Sequence, residues 1–172
     1  RGKGLKLLDS IKKHEYNETT KVLAVGNWAT SSKNYWNLFR PSDVVPNYYE
    51  KFYEESQDDF WQEISKESLN LLEKLSDQNE FGLIPDFAWI EEDGIVPAEK
   101  NEVSTKNDGD YSYNALRIPF RLANSTNETA QKINKKLLTF FSNQEIVQAG
   151  YTLEGEPIDT YQSISYSSPL LM

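Results

Sequence analysis

The sequence predicts an all-α domain with short extended segments and long loops, on three observations. Apolar residues recur at helical spacing in three separate stretches, near residues 5–11, 60–75 and 130–141. The helices recur in pairs, as in helical-hairpin architectures, and no repeat of solenoid length is visible. At 172 residues the chain has the length of about one domain with a sizeable core.

In chain order, the first element is a short amphipathic helix from about Gly4 to Glu15, with Leu5, Leu8 and Ile11 on one face and Leu7 alongside. His14 falls at its solvated end, beside Lys12, Lys13 and Glu15. Val22 to Val25 is a brief apolar run closed by Gly26-Asn27-Trp28-Ala29, where Gly and Asn signal a turn. Trp28 either plugs the core or is delivered to a surface, since Trp is seldom fully buried. Residues 30 to 45 read as a loop, with Ser31, Ser32, Asn34, Pro41, Ser42 and Asp43, punctuated by Tyr35, Trp36 and Phe39. Pro46 suits the first turn of a helix through Tyr48, Tyr49, Phe52 and Tyr53, where its missing N–H needs no partner.

A clearer helix starts near Ser56 or Asp58 and turns Phe60, Trp61, Ile64, Leu71, Leu72 and Leu75 to the core. Gly82 and Pro85 end that pattern within Phe81-Gly82-Leu83-Ile84-Pro85-Asp86-Phe87. Asp86, among apolar neighbours, is expected to fix a loop or pair with an arginine, because an unpaired buried charge is costly. After Trp89, residues 91 to 107 form a polar loop with five acidic side chains, longer than most connections. A helix is expected to start near Tyr111, its regularity limited by Pro119. Ser125-Thr126-Asn127-Glu128 is a capping box for a helix carrying Ala130, Ile133, Leu137, Phe140 and Phe141. Gly150 to Gly155 is a short hairpin or loop, and the Ser-rich tail from Tyr161 to Met172 reads as cut within an element.

Composition narrows the chemistry. Apolar content is only 38%, yet aromatics reach 13%, so much of the apolar surface is ring surface with polar handles. A net charge of −9 argues against nucleic acid, which needs a basic patch, and favours a neutral or cationic ligand. Cysteine is absent and there is one histidine, which leaves no disulfide framework, no thiol nucleophile, no His-based metal site and no Ser-His-Asp triad; no cofactor is called for. No apolar run approaches the roughly 18 residues of a membrane span. No signal peptide is present, and the first residue, Arg1, reads as a processed or cut end.

The stretch Asp108 to Arg121, DGDYSYNALRIPFR, is where function is expected. A turn pair is followed by alternating aromatic and polar residues and then by Arg-x-Pro-x-Arg. Two tyrosines, an amide and two guanidinium groups in so short a run suit a polar, ring-shaped ligand.

Four blocks in order resemble the C-terminal half of glycoside hydrolase family 8, the family of endoglucanases, lichenases, chitosanases and certain xylanases. They are Gly26-Asn27-Trp28-Ala29, the Pro41 to Tyr49 stretch before a long helix, Gly82-Leu83-Ile84-Pro85-Asp86-Phe87, and Tyr111-Ser112-Tyr113-Asn114-Ala115-x-Arg117-x-Pro119-x-Arg121. A fifth, Gly150 to Gly155, follows at the expected spacing. The resemblance implies part of an (α/α)6 barrel with a cleft for a β-1,4-linked chain such as glucan or chitosan. It also implies an inverting mechanism with two carboxyl groups about 6.5–9.5 Å apart. Residues 1–172 would be the C-terminal half of the catalytic domain, with the acid-bearing N-terminal half and the last helices absent. The partners implied are a polysaccharide or oligosaccharide and either the missing half of the barrel or a second copy at the exposed seam. A bacterial, secreted or cell-surface setting goes with the family.

The resemblance also assigns roles. Trp28, Tyr35 and Trp89 would stack on sugar rings, and Tyr111, Tyr113 and Arg117 would line the subsites around the cleavage point. Many members carry the base as Asp where this chain has Asn114, whose amide would orient water or a hydroxyl. In a subgroup with Asn there, the base is a Glu from the loop upstream. Glu102, preceded by Glu99, is the candidate, although the usual spacing falls closer to Ser104. Arg121 would be structural, pairing with Asp86 or a nearby carboxylate. The alternative is a catalytically silent carbohydrate-binding or structural module of the same fold.

Overall fold

The computed structural model describes residues 2–30 and 35–171. Ser31, Ser32 and Asn34 of the expected loop lie outside the described residues. Four helices make the frame. Helix α4, Phe60–Asp77, buries Trp61, Ile64, Ser68, Leu69, Leu72 and Leu75, a stripe at helical spacing. It lies between α3, Pro46–Ser56, and α6, Glu128–Ser142, and α6 in turn packs on α5, Ile118–Ala123. One buried cluster takes Tyr49 from α3, Trp61 and Leu72 from α4, Leu122 from α5 and Leu137 from α6, so a single core runs through all four helices. Burying each such apolar side chain stabilises the fold by about 1.5–3 kcal/mol.

The N-terminal helix α1, Gly2–Glu15, is joined to this frame by Leu8 and by Lys12, which meets Asp58 at 2.6 Å and stands 4.7 Å over the Phe60 ring. Leu7 remains exposed and His14 sits in the last, exposed turn. Two short strands, β1 Tyr16–Asn17 and β2 Val22–Leu23, then lead to a four-residue helix α2, Asn27–Thr30, where the sequence indicates a turn. Pro41–Asp43 forms a 3-10 turn, and Pro46 opens α3 in its first turn.

The acidic segment after Trp89 is more ordered than expected. Strand β4, Ala88–Glu91, folds back on β5, Gly94–Pro97, and β3, Leu38–Phe39, pairs with the other edge of β4. The hairpin turns on two residues, Glu92 and Asp93, between the paired Glu91 and Gly94. Trp89 is thereby set between Leu38 and Val96 in register.

Two further expectations are corrected. Residues 111 to 114 are not helical. The backbone of Tyr111 pairs both ways with Tyr151, at 2.9 and 3.0 Å, and a 3-10 turn, Ala115–Arg117, precedes α5. The cap of α6 is Asn127, whose Oδ1 accepts from Thr129 and Ala130, rather than Ser125. Ser125 instead accepts the Asn127 N–H at 3.2 Å, one step outside the helix. The tail folds into a short helix α7, Ile164–Ser167, and a 3-10 turn, Ser168–Leu170.

Candidate active site

Asp86 organises the site. Its backbone N–H donates to the Asp110 carbonyl at 2.8 Å and that of Phe87 to the Asp108 carbonyl at 2.9 Å, so residues 86–87 run beside 108–110. Its side chain is 3% exposed. Oδ1 accepts the backbone N–H groups of Ser112, Asn114 and Ala115 at 3.1, 2.9 and 2.7 Å, and Oδ2 faces Nδ2 of Asn114 at 3.3 Å. Those N–H groups converge because residues 112–115 enter a helical turn, whose first donors have no partner within it. Burial pushes the Asp86 carboxyl up, while the N–H groups of Ala115, Asn114 and Ser112 and the Asn114 amide pull it back.

The expected pairing of Arg121 with a carboxylate does not form. Asp86 has its acceptor positions taken by residues 112–115, no other carboxylate among the described residues reaches Arg121, and its Nε is buried without a hydrogen bond. Arg117 is tied into the same network. Its Nη2 donates to Oδ1 of Asn114 at 2.7 Å and to Oγ of Ser42 at 2.8 Å, and its Nε donates to the Asn114 carbonyl at 3.3 Å. Ser42 is fully buried, in the 3-10 turn before α3.

The two tyrosines part company. Tyr111 has no exposed surface; its ring lies 5.2 Å from that of Phe141 and its hydroxyl has no partner. It belongs to the core and offers no face to a ligand, because its pairing with Tyr151 turns the side chain inward. Tyr113 is 71% exposed and meets Tyr166 edge-on at 6.4 Å.

The loop that carries Glu102 is built on Asp108, which is fully buried. Its Oδ2 accepts the N–H groups of Val103 and Ser104 at 2.8 and 2.9 Å, and its Oδ1 accepts that of Thr105 at 2.8 Å. Gly109 follows because a Cβ there would lie 2.1 Å from the Ala98 carbonyl oxygen. Glu102 is exposed, with Oε2 accepting the Glu99 N–H at 2.7 Å, which leaves Oε1 outside any hydrogen bond among the described residues. Asp110 is a second carboxylate in this region. Burial pushes it up, nearby Lys100 pulls it back, and Glu154 adds to the rise.

Three residues beyond Asp86, Trp89 joins the aromatic group expected from the sequence. Tyr35 stacks on Trp89 with centroids 6.2 Å apart, and Trp28 meets Tyr35 edge-on at 5.5 Å. Trp28 is 51% exposed, which rules out a core plug. Beneath the rings lie Val25, Ala29, Leu38, Phe87 and Ala98, with Val103 of the Glu102 loop packed against them. Three residues of extended chain span at most about 11 Å, so Asp86 and Trp89 belong to one neighbourhood.

Ser42, Asp108 and Asp110 are site residues that sequence reasoning missed. Asp108 was legible only as a turn pair with Gly109, and Ser42 carries no local signal because its partner is 75 residues away. Among the described residues no group of three His, Cys, Asp or Glu could hold a metal ion, and no helix is long and apolar enough to cross a membrane.

Comparison with known proteins agrees with this architecture. Residues 6–170 match the family described as Glycosyl hydrolases family 8. A Beta-glucanase of Niallia circulans is 26% identical over 96% of this chain and 43% of its own length. An Endoglucanase of Bacillus sp. (strain KSM-330) is 27% identical over 87% of this chain and 34% of its own. The fold superposes on the apo Beta-1,3-1,4-glucanase of Paenibacillus sp. X4 with a TM-score of 0.90, covering 97% of this chain and 47% of that one at 24% identity. The chain thus spans less than half the length of the curated relatives it matches, and its fold is all-α, part of an (α/α)6 barrel. With the family pattern covering nearly every residue, the chain belongs to the glycosyl hydrolases of family 8.

Proposed function

We propose that this chain is the C-terminal half of a β-glucan hydrolase that works by inversion of configuration. The observations that carry the reading are the Trp28–Tyr35–Trp89 ring group, whose Trp89 follows Asp86 by three residues, and the Asp86–Asn114–Arg117 network that Asp86 anchors. The rings offer apolar faces with polar rims to a pyranose chain, and the network holds an oriented amide for a polar oxygen. Family membership and two relatives named as glucanases support a glucan over other polymers. Tyr113, exposed beside Asn114, is the tyrosine placed to meet a sugar.

In the inverting reaction a carboxylic acid protonates the departing glycosidic oxygen while a carboxylate takes a proton from the water that attacks the anomeric carbon. The acid comes from the N-terminal half of the barrel, outside this chain. Glu102 is assigned as the base; its Oε2 is steadied by the Glu99 N–H and its Oε1 is available to the water. An extracellular or cell-surface location follows from a polymeric substrate too large to enter a cell.

The test is reducing-sugar release from mixed-linkage β-glucan, measured on the 172-residue chain and on the same chain extended upstream by the N-terminal half of the barrel. Release is expected from the extended protein and not from the chain alone. Glu102→Gln in the extended protein should abolish release and retain polymer binding. An extended protein that binds without releasing sugar would leave a silent binding module. Unchanged turnover in Glu102→Gln would transfer the base role to Asp110, the half-buried carboxylate of the same loop.

A further inference from the structure

Asn114 stands between opposite charges. Its Oδ1 lies 2.7 Å from the Arg117 guanidinium and its Nδ2 lies 3.3 Å from the Asp86 carboxylate. An asparagine amide has two orientations of nearly equal shape, and here they differ sharply in energy. Turned over, Nδ2 would face a donor and Oδ1 an acceptor, and both charge-assisted hydrogen bonds would be lost. Arg117 is itself held by a second acceptor, Oγ of the fully buried Ser42, at 2.8 Å. A turn 75 residues distant therefore fixes the guanidinium that fixes the amide.

We propose that Ser42 and Arg117 are positioning residues that lock the Asn114 amide in one orientation, so that its outward Nδ2 hydrogen is offered to an oxygen of the ligand. One Nδ2 hydrogen is committed to Asp86; the other has no partner among the described residues, and Asn114 is only half-buried. The class of atom recognised is an acceptor oxygen, of a sugar hydroxyl or of a bound water. An aspartate at this position would set a second carboxylate against Asp86, and two like charges at that range resist joint ionisation. An amide meets both neighbours at once, donating to Asp86 and accepting from Arg117, and takes no proton. The ligand half of this proposal rests on the carbohydrate reading above; the lock itself does not.

The experiment follows the Asn114 side-chain NH2 resonances in 15N-labelled 172-residue chain. In the wild type, the hydrogen facing Asp86 is expected to exchange with solvent more slowly than its geminal partner. Addition of a mixed-linkage gluco-tetrasaccharide is expected to shift the second hydrogen. Ser42→Ala and Arg117→Lys should bring the two exchange rates together and weaken tetrasaccharide binding about tenfold, the effect of one lost charge-assisted hydrogen bond. Ser42→Thr, which keeps the hydroxyl, should retain unequal exchange. Equal exchange in the wild type, or unequal exchange that persists in both Ser42→Ala and Arg117→Lys, would overturn the lock. A wild-type chain with unequal exchange and no affinity for the tetrasaccharide would uphold the lock and count against the carbohydrate reading instead.

Discussion

Asp86→Ala is expected to destabilise the chain by about 3–5 kcal/mol, because it strips three backbone N–H groups, two of them buried, and one amide of their acceptor. A domain of this size is stable by about 5–15 kcal/mol, so the loss takes a large share of the total. Urea denaturation followed by tryptophan fluorescence measures it. A loss within the range of ordinary surface substitutions, about 0.5 kcal/mol, would contradict the role given to Asp86. The pH dependence has a definite sign. Burial holds the folded carboxyl above its ordinary value of 3.8, so the folded chain binds the proton more tightly than the unfolded chain does. The stability contributed is full below the unfolded pKa and is lost as pH rises through the folded pKa. Asp86→Asn cannot titrate, and the stability of the wild type relative to it should therefore fall with rising pH in that window. A difference that grows with pH would show the four hydrogen bonds outweighing burial.

Asp108→Ala is the second large effect, about 2–4 kcal/mol. Three backbone N–H groups, at Val103, Ser104 and Thr105, lose the carboxylate that gathers them. The consequence reaches the proposed site, since the loop so released carries Glu102, the proposed base, and packs Val103 beneath the aromatic rings. Hydrogen exchange of the three amides should accelerate at least about tenfold over that of α4, as expected when a local opening replaces a fixed turn. Exchange unchanged at Val103 and Ser104 would contradict the account of this loop.

How much of this was legible in the sequence depended on whether the signal was local. The apolar stripe of α4 and the proline at the start of α3 are local, and both elements lie where the sequence places them. Trp28, Tyr35 and Trp89 stood out as rings in polar surroundings, and the fold assembles them from three segments. The β4–β5 hairpin was hidden by its acidic turn, because Glu92-Asp93 is not one of the residue pairs that usually mark a tight hairpin. Tyr111 looked like Tyr113 because alternation alone does not say which face is the core; the pairing with Tyr151 decides it, 40 residues away. The partner of Asp86 was expected to be a charged side chain. Backbone N–H groups carry no sequence signature, and they filled the carboxylate before Arg121 could.

The central claim is that the aromatic group and the network anchored on Asp86 form one glucan-binding site. Intrinsic tryptophan fluorescence of the 172-residue chain, titrated with mixed-linkage gluco-oligosaccharide, tests it directly, because Trp28 and Trp89 are both in the proposed contact. A saturable change in emission is predicted, with affinity lowered about tenfold or more in Trp28→Ala at unchanged stability. Absence of a saturable change in the folded wild type, or wild-type affinity in Trp28→Ala, would contradict it.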